Sequence, residues 1–208
     1  MNKSSIWFRR GIALSVMLFL FGGCTGVEKK PPEKRRFVLD VTRQGDASSS
    51  GSDLILGVRQ IRVSPPYDGN AFVYRISDIR YEADHNNEFF ITLSPMLTKA
   101  VLQWLNLSGL FEHVIDRTSP TKPTHFLEGT LVSIYGDYRD RRAPMAVLGM
   151  QFLLQSTSGQ SGAMLQKQYQ MKAPVTGEYP EGLVNAWNGA LEQILTELEA
   201  DLRTALTQ

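Results

Sequence analysis

Apolar and polar residues alternate with a period of two through much of this chain and with a helical period in two places. From 54 to 63 (LILGVRQIRV) the residues are aliphatic and β-rich. One continuous strand there sends Ile55, Gly57, Arg59, Ile61 and Val63 to one face, and Leu54, Leu56, Val58, Gln60 and Arg62 to the other. Pro65-Pro66 must end or edge that strand, because proline has no amide hydrogen to give a ladder. Residues 37–41 read as a strand ahead of it, and 71–76 (AFVYRI) as a short strand after the turn Tyr67-Asp68-Gly69-Asn70. Residues 78–92 read as a further strand with an irregular polar middle at Asp84-His85-Asn86-Asn87.

The period then changes. Ser94 is a good N-cap, and Pro95 suits the first helical position. Leu97, Ala100, Val101, Trp104, Leu105 and Ser108 form one helical face, and Gly109 is placed to stop it. Leu110, Phe111, Val114 and Ile115 return as a short strand, and Pro120 and Pro123 bracket a loop. Three strands follow at 125–138, 145–155 and 163–172. The Ser/Gly-rich stretch 156–162 forms the hairpin between the last two. A long helix over about 180–206 closes the chain, with Leu183, Trp187, Ala190, Leu191, Ile194, Leu198, Leu202 and Ala205 on one stripe. Strands, helix, strands, helix in that order predict an α+β fold, a largely antiparallel sheet with two helices packed on one face.

The N-terminus has a different pattern. Lys3, Arg9 and Arg10 precede the apolar run GIALSVMLFLF at 11–21, which has the length of a secretory h-region. It is shorter than the roughly 20 apolar residues of a spanning helix. Gly22 and Gly23 then lead to Cys24, the single cysteine, in the manner of a bacterial lipoprotein signal. Phe21 stands where that signal usually has Leu. The expectation is a signal peptide at 1–23, removed so that Cys24 carries lipid (palmitate-type acyl chains); an ordinary secreted protein with a stray cysteine is the alternative. Thr25 rather than Asp after the cysteine favours export to the outer membrane, by the sorting rule of lipoproteins generally. One cysteine excludes a disulfide framework and cysteine-based metal sites.

Removing residues 1–23 from 208 leaves 185, enough for one domain. Taking Lys3, Arg9 and Arg10 from 22 basic residues leaves 19 against 21 acidic, or −2. That charge gives no electrostatic reason to expect nucleic acid. Residues 25–36 (TGVEKKPPEKRR) hold five Lys/Arg, two Glu and Pro31-Pro32 with almost nothing apolar, so 24–36 reads as a flexible tether. The single α+β domain then runs over 37–208, with a mobile polar loop expected at 42–53.

Little in the sequence points to catalysis, cofactor binding or a metal. His85, His113 and His125 lack ligand-pair spacing. No Gly-x-Ser-x-Gly elbow and no phosphate loop occurs. The expectation is a non-enzyme. Two features suit binding instead. Tyr138, Arg139 and Arg141 lie in the charged turn 137–142, which reads as a solvated hairpin end or a partner contact. The uncharged tract 143–150 (APMAVLGM) reads as a buried strand or as an apolar surface.

From Leu56 to Val114 the chain resembles the ABC-type transport auxiliary lipoproteins, the PqiC-like family. The resemblance rests on an order of elements. A strand leads to Pro65-Pro66-Tyr67, a polar turn leads to Phe72-Val73-Tyr74-Arg75, Tyr81 follows, and a helix ends before Leu110-Phe111 and Val114. Phe37-Val38-Leu39 stands at the family's Tyr-x-Leu start. Residues 89–97 (FFITLSPML) replace its Trp-Ala-x-Pro-Leu run, which marks a divergent branch. The resemblance implies a lipid-anchored protein at the periplasmic face of the outer membrane. It would act without catalysis, as an accessory to a lipid (phospholipid) transport system built on an MCE-domain protein, and a homo-oligomer fits the same family. Pro66, Tyr67, Tyr74 and Arg75 are its signature residues, with a structural role expected. The competing expectation is an outer-membrane assembly or regulatory lipoprotein that binds a periplasmic enzyme or peptidoglycan.

Overall fold

The computed structural model describes residues 33–44, 52–158 and 163–207. Cys24, the signal segment 1–23 and most of the tether lie outside the described residues, as does most of the 42–53 loop. The described chain runs β1 (Arg35–Phe37), β2 (Ile55–Val58), β3 (Arg62–Val63), a 3-10 turn (Pro65–Tyr67), β4 (Ala71–Arg75), β5 (Tyr81–Phe89), α1 (Leu93–Leu107), β6 (His113–Asp116), β7 (His125–Asp137), β8 (Met145–Ser156), β9 (Ala163–Pro174) and α2 (Glu181–Leu206). The expected α+β class is present. Arg35 and Arg36, read from sequence as tether, belong to β1.

The sheet is mixed. β7, β8 and β9 form a long antiparallel meander, and β4 pairs antiparallel with β5. The pairs β1–β5, β2–β6, β2–β7, β3–β7 and β4–β7 are parallel. Strand β7 is the spine: β8 lies along one edge, and β2, β3 and β4 share the other. Local periodicity carries a strand's face but not its neighbour, so the parallel pairings were invisible in the sequence.

The stretch 54–63 is not one strand. Val58 pairs with Leu127 and Arg62 with Thr130. Four steps on one side therefore face three on the other, which is a β-bulge. The extra residue reverses the alternation, so Ile61 joins Leu56 and Val58 in the core. Helix α1 supplies the bulge's missing partners. The Ile61 amide donates to Thr98 Oγ1 at 2.9 Å, and Ser94 Oγ donates to the Ile61 carbonyl at 2.6 Å. Ser94 is therefore not the N-cap. Thr92 takes that position, and Pro95 sits in the first turn, where no amide is required of it. At the other end Gly109 adopts φ 69°, as a helix stop requires.

Both helices lay their apolar stripes on one core. Leu97, Val101 and Leu105 of α1 and Leu183, Trp187, Leu191, Ile194 and Leu198 of α2 are fully buried with Leu148, Met150, Phe152 and Leu154 of β8. Trp187 packs edge-on to Phe72 at 5.0 Å, and Phe72 meets Phe89 at 4.7 Å. Ala146, Val147, Leu148 and Met150 have no exposed area, so the tract 143–150 is a buried strand from Ala146 onward. Among the described residues no helix is long and apolar enough to cross a membrane.

Candidate functional site

Strand β4 places alternate side chains on opposite faces of the sheet, and this divides the signature residues. Tyr74 lies on the core side with Phe72, and Arg75 points to the other. The parallel register sets Tyr74 against Gly136 and Arg75 against Asp137. The Tyr138 amide continues that ladder to the Arg75 carbonyl at 2.9 Å. The segment from Pro66 to Arg75 and the turn after β7 thus meet at one end of the sheet, although 60 residues of chain separate them.

On the outer face, Tyr67 from the 3-10 turn stacks on Tyr135 at 6.5 Å and 15°, and Tyr81 meets Tyr135 edge-on at 5.5 Å. The Arg75 guanidinium lies 5.7 Å from the Tyr81 ring. It also donates to the carbonyls of Ser77 and Asp78, at 3.3 and 3.0 Å. Arg75 therefore closes the β4–β5 hairpin and covers an aromatic ring. Burial pushes the Tyr67 hydroxyl up to about 12, with Tyr81 and Tyr135 adding to the effect and Arg75 opposing it. Pro66 is exposed and holds the 3-10 turn that presents Tyr67.

On the core face, Tyr74 crosses Tyr138 at 5.5 Å and 88° and Tyr179 at 6.1 Å. Both phenols donate to Asp84 Oδ2, Tyr74 at 2.5 Å and Tyr179 at 2.6 Å. Asn87 Nδ2 donates to the same oxygen at 2.7 Å, and the amides of Asn86 and Asn87 donate to Oδ1 at 2.7 and 3.1 Å. Burial alone would raise the Asp84 carboxyl, but the bonds from Asn87, Tyr179 and Tyr74 hold it well below the usual carboxylate range. Burial, and then the bonds to Asp84 and Tyr179, drive the Tyr74 phenol far above its ordinary value. The polar middle 84–87 is a bulge: β4 has only Phe72 between the pairs Val73–Ala83 and Ala71–Glu88.

The charged turn stands beside this cluster. Arg139 bonds Asp137 Oδ1 and Oδ2 at 3.0 and 2.8 Å and reaches Asp78 Oδ1 at 2.7 Å. Its guanidinium also holds the Asp137 carboxyl below its usual range. Arg141 is exposed and has no hydrogen bond or ion pair among the described residues. Ile79, at the tip of the β4–β5 hairpin, is 94% exposed. The arrangement presents an aromatic floor, a clamped arginine, a free arginine and an exposed isoleucine.

Sequence reasoning brought Tyr67, Tyr74, Arg75, Tyr138 and Arg139 together only in part; it named Tyr81, Asp84 and Asn87 without a role in a site, and it did not single out Tyr135 and Tyr179. One signal was present: six of the seven tyrosines lie at this end of the sheet, the exception being Tyr169. His85 and His113 are exposed. His125 is buried beside Thr124, at 2.9 Å, and burial lowers its pKa. Among the described residues no group of three His, Cys, Asp or Glu is placed to hold a metal ion.

No family model matches the chain, and no curated protein matches it. Solved structures do. The Xanthomonas campestris protein XCC0632, of the family model DUF330, superposes with a TM-score of 0.72 at 17% identity, over 84% of this chain and 98% of its own. An uncharacterized protein superposes with a TM-score of 0.65 at 18% identity, over 81% and 97%. At that identity the likeness establishes a shared fold, and the chain has the same α+β architecture as the DUF330 structure.

Proposed function

We propose that this chain is a lipid-anchored, non-enzymatic accessory of an envelope lipid transport system, held by Cys24 and facing the periplasm from the outer membrane. The observation that carries the reading is the interlocking of its signature segments. Of the residues quoted from sequence as a family pattern, Tyr67 and Arg75 pack with Tyr81 and Tyr135 on one face of the sheet, and Tyr74 packs with Tyr138 on the other, with Tyr74 and Arg75 adjacent on β4. Their convergence on one end of the sheet supports the resemblance to the ABC-type transport auxiliary lipoproteins. The shared fold with the DUF330 structure is consistent with it. The partner is an MCE-domain protein, and the free cation Arg141 beside Tyr138 and Arg139 is the surface offered to it. A homo-oligomer accords with the same reading.

Affinity capture of the intact, acylated chain from membranes tests the function. Recovery of an MCE-domain protein is the expected result. Recovery of a peptidoglycan synthase or another periplasmic enzyme, with no MCE-domain protein, would replace this reading with that of a regulatory lipoprotein. The anchor is tested separately: Cys24→Ala should abolish acyl labelling and release the chain from the membrane fraction.

A further inference from the structure

A second exposed apolar surface lies at the opposite end of β5 from Ile79. Val38, just after β1, is 52% exposed, and Phe90 and Ile91, between β5 and α1, are 62% and 44% exposed. The three are brought together because the Phe90 amide donates to the Phe37 carbonyl at 2.7 Å. With Pro95, Met96 and Lys99 of α1 they line an open groove of about 240 Å³. Nothing in the core needs these side chains outside, and hydrophobic groups grouped on a surface mark a contact.

The groove's position indicates its occupant. It adjoins the N-terminal end of the described domain, where the segment leading back to Cys24 enters. Ten residues separate Cys24 from Lys34, a reach of at most roughly 35 Å when fully extended. An anchor at Cys24 therefore holds the β1 end of the domain within that reach of the lipid. The chemistry agrees. Residues 25–36 contribute five Lys/Arg against two Glu. Arg35 and Lys99 are exposed and have no ion pair among the described residues, while Lys34 and Arg36 share Glu88 at 2.8 and 3.0 Å. Asp40, also on the groove, is the opposing charge. Apolar side chains bordered by an excess of cations suit the boundary between headgroups and acyl chains of an anionic bilayer.

We infer that Val38, Phe90 and Ile91 dock the domain onto the bilayer that holds its lipid anchor. This fixes the orientation of the domain and turns Tyr81 and the hairpin tip at Ile79, at the far end of β5, away from the lipid. The inference rests on the lipoprotein reading of Cys24.

The test uses the full acylated chain in vesicles of phosphatidylcholine and phosphatidylglycerol with brominated acyl chains. Because lipid occupies Cys24, an Ile91→Cys variant takes an environment-sensitive fluorophore at one position. An Ile79→Cys variant places the same probe roughly 25 Å away along β5. The expected result is a blue shift and loss of emission at position 91, with neither at 79. Both effects at 91 should disappear in a chain that also carries Val38→Ser and Phe90→Ser, although it stays on the vesicles. If the acylated chain is vesicle-bound and the probes at 91 and 79 behave alike, docking is wrong and the anchor stands. A chain that carries no acyl group overturns the lipoprotein reading, and the docking inference with it.

Discussion

Tyr74 and Tyr179, 105 residues apart, donate their phenolic hydrogens to the same oxygen of Asp84. That shared acceptor joins the signature strand β4, the bulge in β5 and the entry to helix α2. It is the polar counterpart of the Phe72–Phe89–Trp187 packing below it.

Replacing the acceptor should cost more than replacing either donor. Asp84→Ala leaves two phenols and the Asn87 amide competing for water in a part-buried place, a loss of about 2 kcal/mol or more. Tyr179→Phe removes one donor and leaves the carboxylate its other bonds, so about 1 kcal/mol is expected. Urea denaturation of the two variants checks the order.

The same cluster sets a pH dependence with two arms. The Asp84 carboxyl is lower in the folded state, so its contribution is complete above its unfolded value of about 4 and is lost as pH falls below it. The phenols of Tyr67, Tyr74 and Tyr179 are raised. Their contribution is present below about pH 10 and is lost as pH rises above that. Stability should form a plateau between these limits, and Asp84→Asn should shrink the acid arm and also weaken the alkaline one, because Asp84 helps to raise Tyr74 and Tyr179 while burial raises them independently. Denaturation midpoints measured from acid to alkaline pH read both.

Much of the element order was legible because burial imposes a period on each element. The alternation in β8 and β9 and the stripes of α1 and α2 are examples. What was not legible depends on contacts across the sequence. The bulge at 59–61 follows from what Ser94 and Thr98 of α1 offer the Ile61 backbone, and no period inside 54–63 contains that information. The Asp84–Tyr179 bond spans 95 residues. The polar middle at 84–87 was visible as an irregularity, but its role as an acceptor for distant tyrosines was not.

The reversal of faces at that first bulge has its own test. A Cβ on Gly129 would stand 2.3 Å from Ile61 Cδ1 and 3.0 Å from the Phe152 ring. Gly129→Ala should destabilise by about 1–3 kcal/mol through overpacking. Ile61→Val deletes the Cδ1 that the new methyl meets, so the double variant should recover part of the loss. A double-mutant cycle by thermal denaturation measures the coupling.

A second tie fixes the segment after β1. Arg43 grips Glu199 of α2 through two bonds, at 2.9 and 3.1 Å, and Trp104 of α1 donates to the same carboxylate at 3.0 Å. These side chains are mostly buried, whereas Arg59 and Arg62 on Glu128 are largely exposed. Glu199→Ala should therefore cost about 2–3 kcal/mol, and Glu128→Ala less than about 1 kcal/mol. Matched chemical denaturation of the two variants separates them.

Photo-crosslinking in living cells tests the partner surface most directly. A photoreactive residue in place of the exposed Arg142 sits next to Arg141 and leaves that cation and every side-chain bond of the cluster in place. The account predicts a crosslink to an MCE-domain protein that is lost when Cys24 is replaced by Ala. Crosslinks only to a peptidoglycan synthase or another periplasmic enzyme would contradict it.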